Sequence, residues 1–230
     1  MAISVDRVYQ KVLALANKEQ RGYITPQEFN LFADSAQMEI FEQYFYDLDQ
    51  FERRLGNDII ELINDKIEIF KTQPIPVSYG SVLPLETHKI DDVWGTDGIS
   101  GGKRIVVQRI DRKEVQGIQS SPLLTTTLAS CYYVYNGRIY FLNIYPNIDY
   151  RLNIIRKPTR PNWTYVINPT TQNALYQPNY TDHQDFELHT SEEQKLVTKI
   201  LQLAGVNMKD PNLVQLATQK EVGVIQQQKQ

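Results

Sequence analysis

Three histidines, His88, His183 and His189, are the side chains in this chain best suited to chemistry. Asp182 and Asp185 flank His183, and an imidazole between two carboxylates is a donor set that a divalent metal can use. The spacing argues against such a site. No two histidines stand at helical ligand spacing and no HExxH pattern occurs, so a structural or solvent-facing role is expected for all three. The single cysteine, Cys131, excludes an internal disulfide and a cysteine-based zinc site. It opens an aromatic, β-prone run and reads as a small buried hydrophobe. The run GTDGISGG (95–102) is glycine-rich, but it lacks the GK[ST] of a phosphate loop and does not open a helix. It reads as the tip of a hairpin. Asp47, Asp49 and Glu52 lack the spacing and the glycine of a calcium loop and read as a solvated helix face. Asn162-Trp163-Thr164 and Asn179-Tyr180-Thr181 match the glycosylation sequon, but MAISVDRVYQ shows no basic region followed by an apolar one, so they are expected to be chance matches. No nucleophile–base pair or carboxylate pair stands out. Catalytic residues, cofactors and metals are therefore expected to be none.

Composition bounds the classes further. With 230 residues and 41% hydrophobic content the chain can bury a sizeable core, and no run reaches the apolar length of a membrane span. The formal charge is −3 with Lys and Arg scattered, which argues against a protein held to nucleic acid by phosphate contacts. Fourteen tyrosines stand against two tryptophans. Tyrosine suits both subunit contacts and half-buried sheet positions, and both readings stay open.

The elements that position these residues follow from periodicity. Ser4 can cap a helix whose apolar positions are Val5, Val8, Tyr9, Val12, Leu13, Leu15 and Ala16, with Gly22 as its stop. Thr25-Pro26-Gln27-Glu28 is a capping box opening a second helix through Phe29, Phe32, Ala33, Ala36, Ile40, Phe41, Tyr44, Phe45 and Leu48. Its aromatics lie on more than one side, so more than one neighbour, or another subunit, must bury them. A third helix runs from Ile59 to Phe70, with Asn57 or Asp58 as cap and Lys71 favouring its C-terminal dipole. Pro74 and Pro76 turn the pattern to strands. Residues 89–94 and 103–110 form a hairpin around the glycine-rich loop, and Asp111 to Glu114 is a capping box for a short helix ending at Gly117. In CYYVYNGRIYFLNIY (131–145), Asn136-Gly137 demands a two-residue type I′ turn pairing Tyr135 with Arg138, Val134 with Ile139 and Tyr133 with Tyr140. Residues 150–156 add a third strand, giving a three-stranded antiparallel meander. Trp163 pins the chain to the body after Pro158 and Pro161. Residues 166–184 read as a long excursion in which Leu175, Tyr176 and Tyr180 still pack. Ser191 caps a helix stopped by Gly205, and Asp210-Pro211 opens a last one. The fold class is thus α+β in a single domain: a helical part (1–71), a β part (74–165), a long loop (166–190), and C-terminal helices with a tail (191–230).

Three stretches carry a resemblance. LALANKEQRGYITPQEFNLFADSAQMEIFEQYF (13–45), IIRKPTRPNWTY (154–165) and DFELHTSEEQKLVTKILQLAGV (185–206) resemble, in the same order, the ring proteins in the neck of crAss-like tailed bacteriophages. None of these motifs is catalytic. The resemblance implies a virion structural protein, made in the host bacterial cytoplasm, that forms a homo-oligomeric ring in the head-to-tail connector, dodecameric to match the portal. It implies the portal protein and other neck or tail proteins as partners, double-stranded DNA passing through the lumen without specific binding, and no membrane. The alternatives are a tail-tube or minor capsid protein, a small hydrolase or nuclease, and a receptor-binding module using tyrosine-rich loops. The residues expected at subunit contacts are Phe41, Tyr44 and Phe45 on the second helix, Tyr176 and Tyr180 in the excursion, and Val222, Val224 and Ile225 in the tail, whose period-two spacing suits an extended segment.

Overall fold

A computed structural model of the chain describes residues 2–18, 24–52, 57–97, 104–121, 131–142, 148–170 and 172–207. The fold is mixed α+β. The helices are α1 (Val5–Lys18), α2 (Pro26–Glu52), α3 (Asn57–Glu68), α4 (Val115–Ser120) and α5 (Glu193–Asn207). The strands are β1 (Ile75–Pro76), β2 (Thr87–Asp97), β3 (Arg104–Val106), β4 (Gln108–Arg109), β5 (Cys131–Tyr135), β6 (Arg138–Leu142), β7 (Ile148–Arg156), β8 (Tyr165–Ile167) and β9 (Ala174–Tyr176). They divide between two compact units, residues 1–69 with 158–230, and residues 70–157.

The first unit is helical. Val5, Val8, Tyr9, Val12 and Ala16 face inward along α1, while Leu15 stays exposed. The Val5 amide at its start donates to the Asp185 carboxylate at 2.8 Å, so a residue 180 positions away satisfies one of the amides that a helix leaves unpaired. At α2 the capping box forms as the sequence predicts. The Glu28 amide donates to Thr25 Oγ1 at 3.3 Å and the Thr25 amide to Glu28 Oε2 at 3.0 Å. Helix α2 packs against both α3 and α5, and α5 also against α1. These neighbours within the chain bury Phe29, Phe41 and Tyr44, while Tyr46 on the same helix stays exposed. Lys71 lies beyond the end of α3 and pairs with Asp91 at 3.2 Å instead of serving the helix dipole. The cap of α5 also differs from expectation. A single 3-10 turn, Thr190–Glu192, precedes the helix, and His189 Nδ1 accepts from the Ser191 amide at 3.2 Å. Gly205 is buried inside α5, which continues to Asn207. The excursion at 166–184 contains a hairpin, β8 with β9, and Leu175 points outward at 54% exposure. Gly22, the side chains of Asn57 and Asp58, and the helix and tail after Asp210 lie outside the described residues.

The second unit holds two sheets. The four-stranded one has the order β1-β7-β2-β3 and is antiparallel, while the three-stranded one has the order β4-β5-β6 with β4 parallel to β5. The Asn136-Gly137 turn has positive φ at both residues, 50° and 69°, and the β5–β6 register is the predicted one. The third strand of the expected meander does not follow. β7 is nine residues long and buried at Tyr150, Leu152 and Ile154. Its backbone groups find partners along their length against the eleven-residue β2, with β1 on the other edge, whereas β6 offers five residues. The strand expected over 103–110 is likewise two strands in its described part, 104–106 and 108–109. It breaks at buried Val107, β3 staying with β2 and β4 passing to β5 in the other sheet. β2 takes in Gly95, Thr96 and Asp97, which the sequence assigns to a loop. Gly95 is needed there, because a Cβ would stand 2.4 Å from Ile148 Cγ2. The capping box at Asp111 is not formed, since Glu114 is the N-cap of α4 without a side-chain bond, and α4 runs through Gly117 to Ser120. Both sheets share a core of Val93, Val107, Ile139, Phe141, Leu152 and Ile154.

Candidate functional site

Phe41 and Tyr44, expected at a subunit contact, lie in the core of the first unit at 0% and 3% exposure. Phe45 is half-buried and meets Phe41 edge-on, with ring centroids 5.1 Å apart. Burial within the first unit leaves Phe41 and Tyr44 no surface to offer a partner. Tyr176 stacks at 5.8 Å on Trp163 and meets the His183 ring edge-on at 5.7 Å. Tyr180, 51% exposed, remains accessible. Val222, Val224 and Ile225 lie outside the described residues.

Trp163 is the anchor that the sequence predicts. Its indole Nε1 donates to Asp6 at 2.9 Å, its amide donates to Asn30 Oδ1 at 2.9 Å, and its ring lies 4.3 Å from that of Tyr9. The histidines are dispersed. His183 Nε2 stands 3.4 Å from the Tyr176 hydroxyl and 3.7 Å from Asp185, His189 caps the 3-10 turn, and His88 is in the other unit. Among the described residues no group of three or more His, Cys, Asp or Glu is placed to hold a metal ion. Cys131 is buried, and burial pushes its thiol pKa up.

A partly buried set of ion pairs in the first unit, with Glu39 at its exposed edge, was not legible in the sequence. Lys66 of α3 donates to Glu192 at 2.5 Å, and Lys199 of α5 donates to Glu39 of α2 at 2.5 Å. Glu192 and Lys199 are both buried. Burial pushes the Lys195 ammonium pKa down, with Lys199 and Lys66 adding to that push and Glu192 and Asp47 opposing it. Burial, and then the Glu192 carboxylate, push the Tyr44 hydroxyl well above its usual range, and that hydroxyl has no hydrogen-bond partner. These groups tie α2, α3 and α5 together. Lysine and glutamate are so ordinary on helices that only their convergence marks them.

The surfaces carry a second signal. Residues 70–157 hold 11 Lys and Arg against 7 Asp and Glu, a formal +4, while the rest of the chain holds 13 against 20, a formal −7. Scattered charge in the sequence is therefore segregated by unit. Exposed large hydrophobic side chains occur in both units, among them Leu31, Tyr46 and Leu62 in the first and Tyr79, Val82 and Leu85 in the second. On the outer face of β5 and β6, Tyr133 stacks on Tyr140 at 5.2 Å, and Tyr79 meets Tyr140 edge-on at 5.3 Å. Arg112 lies 3.7 Å over the Tyr135 ring. Tyr132 and Tyr150 are buried in the sheet core, which is the sheet role that the composition left open. Compared with known protein families and with curated proteins, the chain finds no match.

Proposed function

We propose that this protein is a virion structural subunit that assembles with copies of itself into a ring in the head-to-tail connector of a tailed bacteriophage. In this reading the ring sits below the portal, extends the DNA channel and docks the next neck or tail component. The observation that carries the self-association is the opposite formal charge of the two units, +4 and −7. Unlike surfaces on one chain favour head-to-tail contacts, and such heterologous contacts generate rings when the rotation closes. The resemblance of stretches 13–45, 154–165 and 185–206 to neck ring proteins supplies the place in the particle. The mechanism is assembly, without a catalytic step. A charge of −3 per copy, repeated around the ring, gives an acidic assembly that does not hold DNA phosphates.

The test is the mass and shape of the purified full-length chain, by size-exclusion chromatography with light scattering and by negative-stain electron microscopy. Closed rings are expected at low salt, dissociating as sodium chloride approaches about 1 M, where the screening length falls to about 3 Å. A chain that stays monomeric at low salt and high protein concentration overturns the reading.

A further inference from the structure

The second unit carries a groove of about 680 Å³ between the 82–90 segment and the β5–β6 turn. Its cationic lining residues include Lys89, Arg109 and Arg138, and no carboxylate lines it. Arg109 and Arg138 ion-pair with no carboxylate among the described residues, although Arg138 donates one bond to the Gly80 carbonyl at 3.0 Å. Apolar side chains complete the lining. Leu85 is fully exposed, Val82 is 64% exposed, and Val134 is half-buried. A groove with basic groups and uncovered aliphatic groups suits an acidic segment that also offers apolar side chains.

The chain contains such a segment. The inward stripe of α3 is Ile63 and Ile67. Its opposite face presents Glu61, Asp65 and Glu68, all exposed, at the i, i+4, i+7 spacing of one helical face. None of the three is ion-paired among the described residues. Leu62, 58% exposed, flanks that stripe about 100° round the helix from Glu61, and exposed Ile69 follows the end of α3. The three carboxylates of that stripe and the aliphatic side chains beside it match the cationic and aliphatic side chains that line the groove.

We propose that the outer face of α3 of one copy docks in the 82–90 groove of the next copy, Glu61, Asp65 and Glu68 meeting Lys89, Arg109 and Arg138 around the contact of Leu62 with Leu85. This rests on the ring reading and names the surfaces that would join its subunits. The pairing is heterologous, so every copy uses one groove and one helix and no copy needs a different partner.

Charge reversal tests it in the full-length chain. Arg109→Glu with Arg138→Glu, and separately Glu61→Arg with Asp65→Arg, are each expected to weaken assembly about tenfold or more. Combining the two pairs in one chain is expected to recover most of that loss. A direct measurement covers the case in which a reversed variant folds poorly. The chain carrying both Leu62→Cys and Leu85→Cys should form a ladder of disulfide-linked oligomers on oxidation, and either single variant should stop at dimers. Wild-type rings that tolerate both reversals, a loss without recovery, or a cross-link confined to single chains overturns the pairing and leaves the ring reading standing. A groove reversal that abolishes retention of double-stranded DNA while leaving assembly unchanged assigns the groove to nucleic acid and overturns it as well. A wild-type chain that never assembles overturns the ring reading first.

Discussion

Tyr44 shows how a single side chain can be buried at a cost. Its hydroxyl is enclosed without a hydrogen-bond partner, while Lys66 lies 5.8 Å from its ring centroid and pairs with Glu192. Tyr44→Phe keeps the ring and removes the unpaired group, so it should stabilise the fold by about 1 kcal/mol at neutral pH, read from chemical denaturation. The pH dependence has a definite sign. The folded pKa lies above the ordinary 10.0, so the folded state keeps a proton that the unfolded chain releases. That stabilisation is complete below pH 10 and is lost as pH rises through the folded value. The Phe variant should therefore lose less stability than the parent in alkaline titration. Gly95 gives the opposite case, a position with no room. Gly95→Ala drives a methyl to within 2.4 Å of Ile148 Cγ2 and should destabilise by about 1–3 kcal/mol. Adding Ile148→Ala should recover part of that loss in a double-mutant cycle. The glycine reads as loop in the sequence because the residue it must accommodate lies 53 positions further along the chain.

At the scale of elements, what was legible was local. The box at Thr25 and Glu28 and the turn at Asn136 and Gly137 are decided by residues within four positions of each other, and both form as written. Thr25→Ala should cost about 1 kcal/mol of stability in thermal or denaturant melts. The Glu28 carboxyl is held below its usual 4.5 by the Thr25 amide first and the Thr25 hydroxyl second. Its stabilisation is thus present above pH 4.5 and is lost as pH falls through the folded value, and Thr25→Ala should weaken that acid dependence. What was not legible was non-local. The sequence places β7 beside the nearest hairpin, but the length of β2, set more than fifty residues earlier, decides its pairing. The start of α1 depends on Asp185, and Lys71 is claimed by Asp91. The aromatics of α2 announced several neighbours correctly, but periodicity does not distinguish a neighbour in the same chain from one in another.

At the scale of the molecule, the segregation of charge was present in the residues but invisible until the unit boundaries were known, because its dividing points, at 70 and 157, fall where no linker composition marks them. Those dividing points have another property. The Arg156 amide donates to the Phe70 carbonyl at 2.9 Å, the Thr72 amide donates to the Ile154 carbonyl at 3.0 Å, and Lys71 bridges Ile155. The second unit is therefore clasped at its own base, its first and last residues held side by side. Such a unit is a cassette. Its entrance and exit coincide, so removing it leaves a gap that a few residues can close at about 3.5 Å each. Joining Ile69 to Pro158 through a short Gly-Ser bridge should yield a smaller helical protein with a cooperative melt and undiminished helical circular dichroism per helical residue. A bridged chain that is unfolded would mean that the helices depend on the cassette for more than continuity. If it folds, the basic surface is a part that can be exchanged without redesigning the body that carries it.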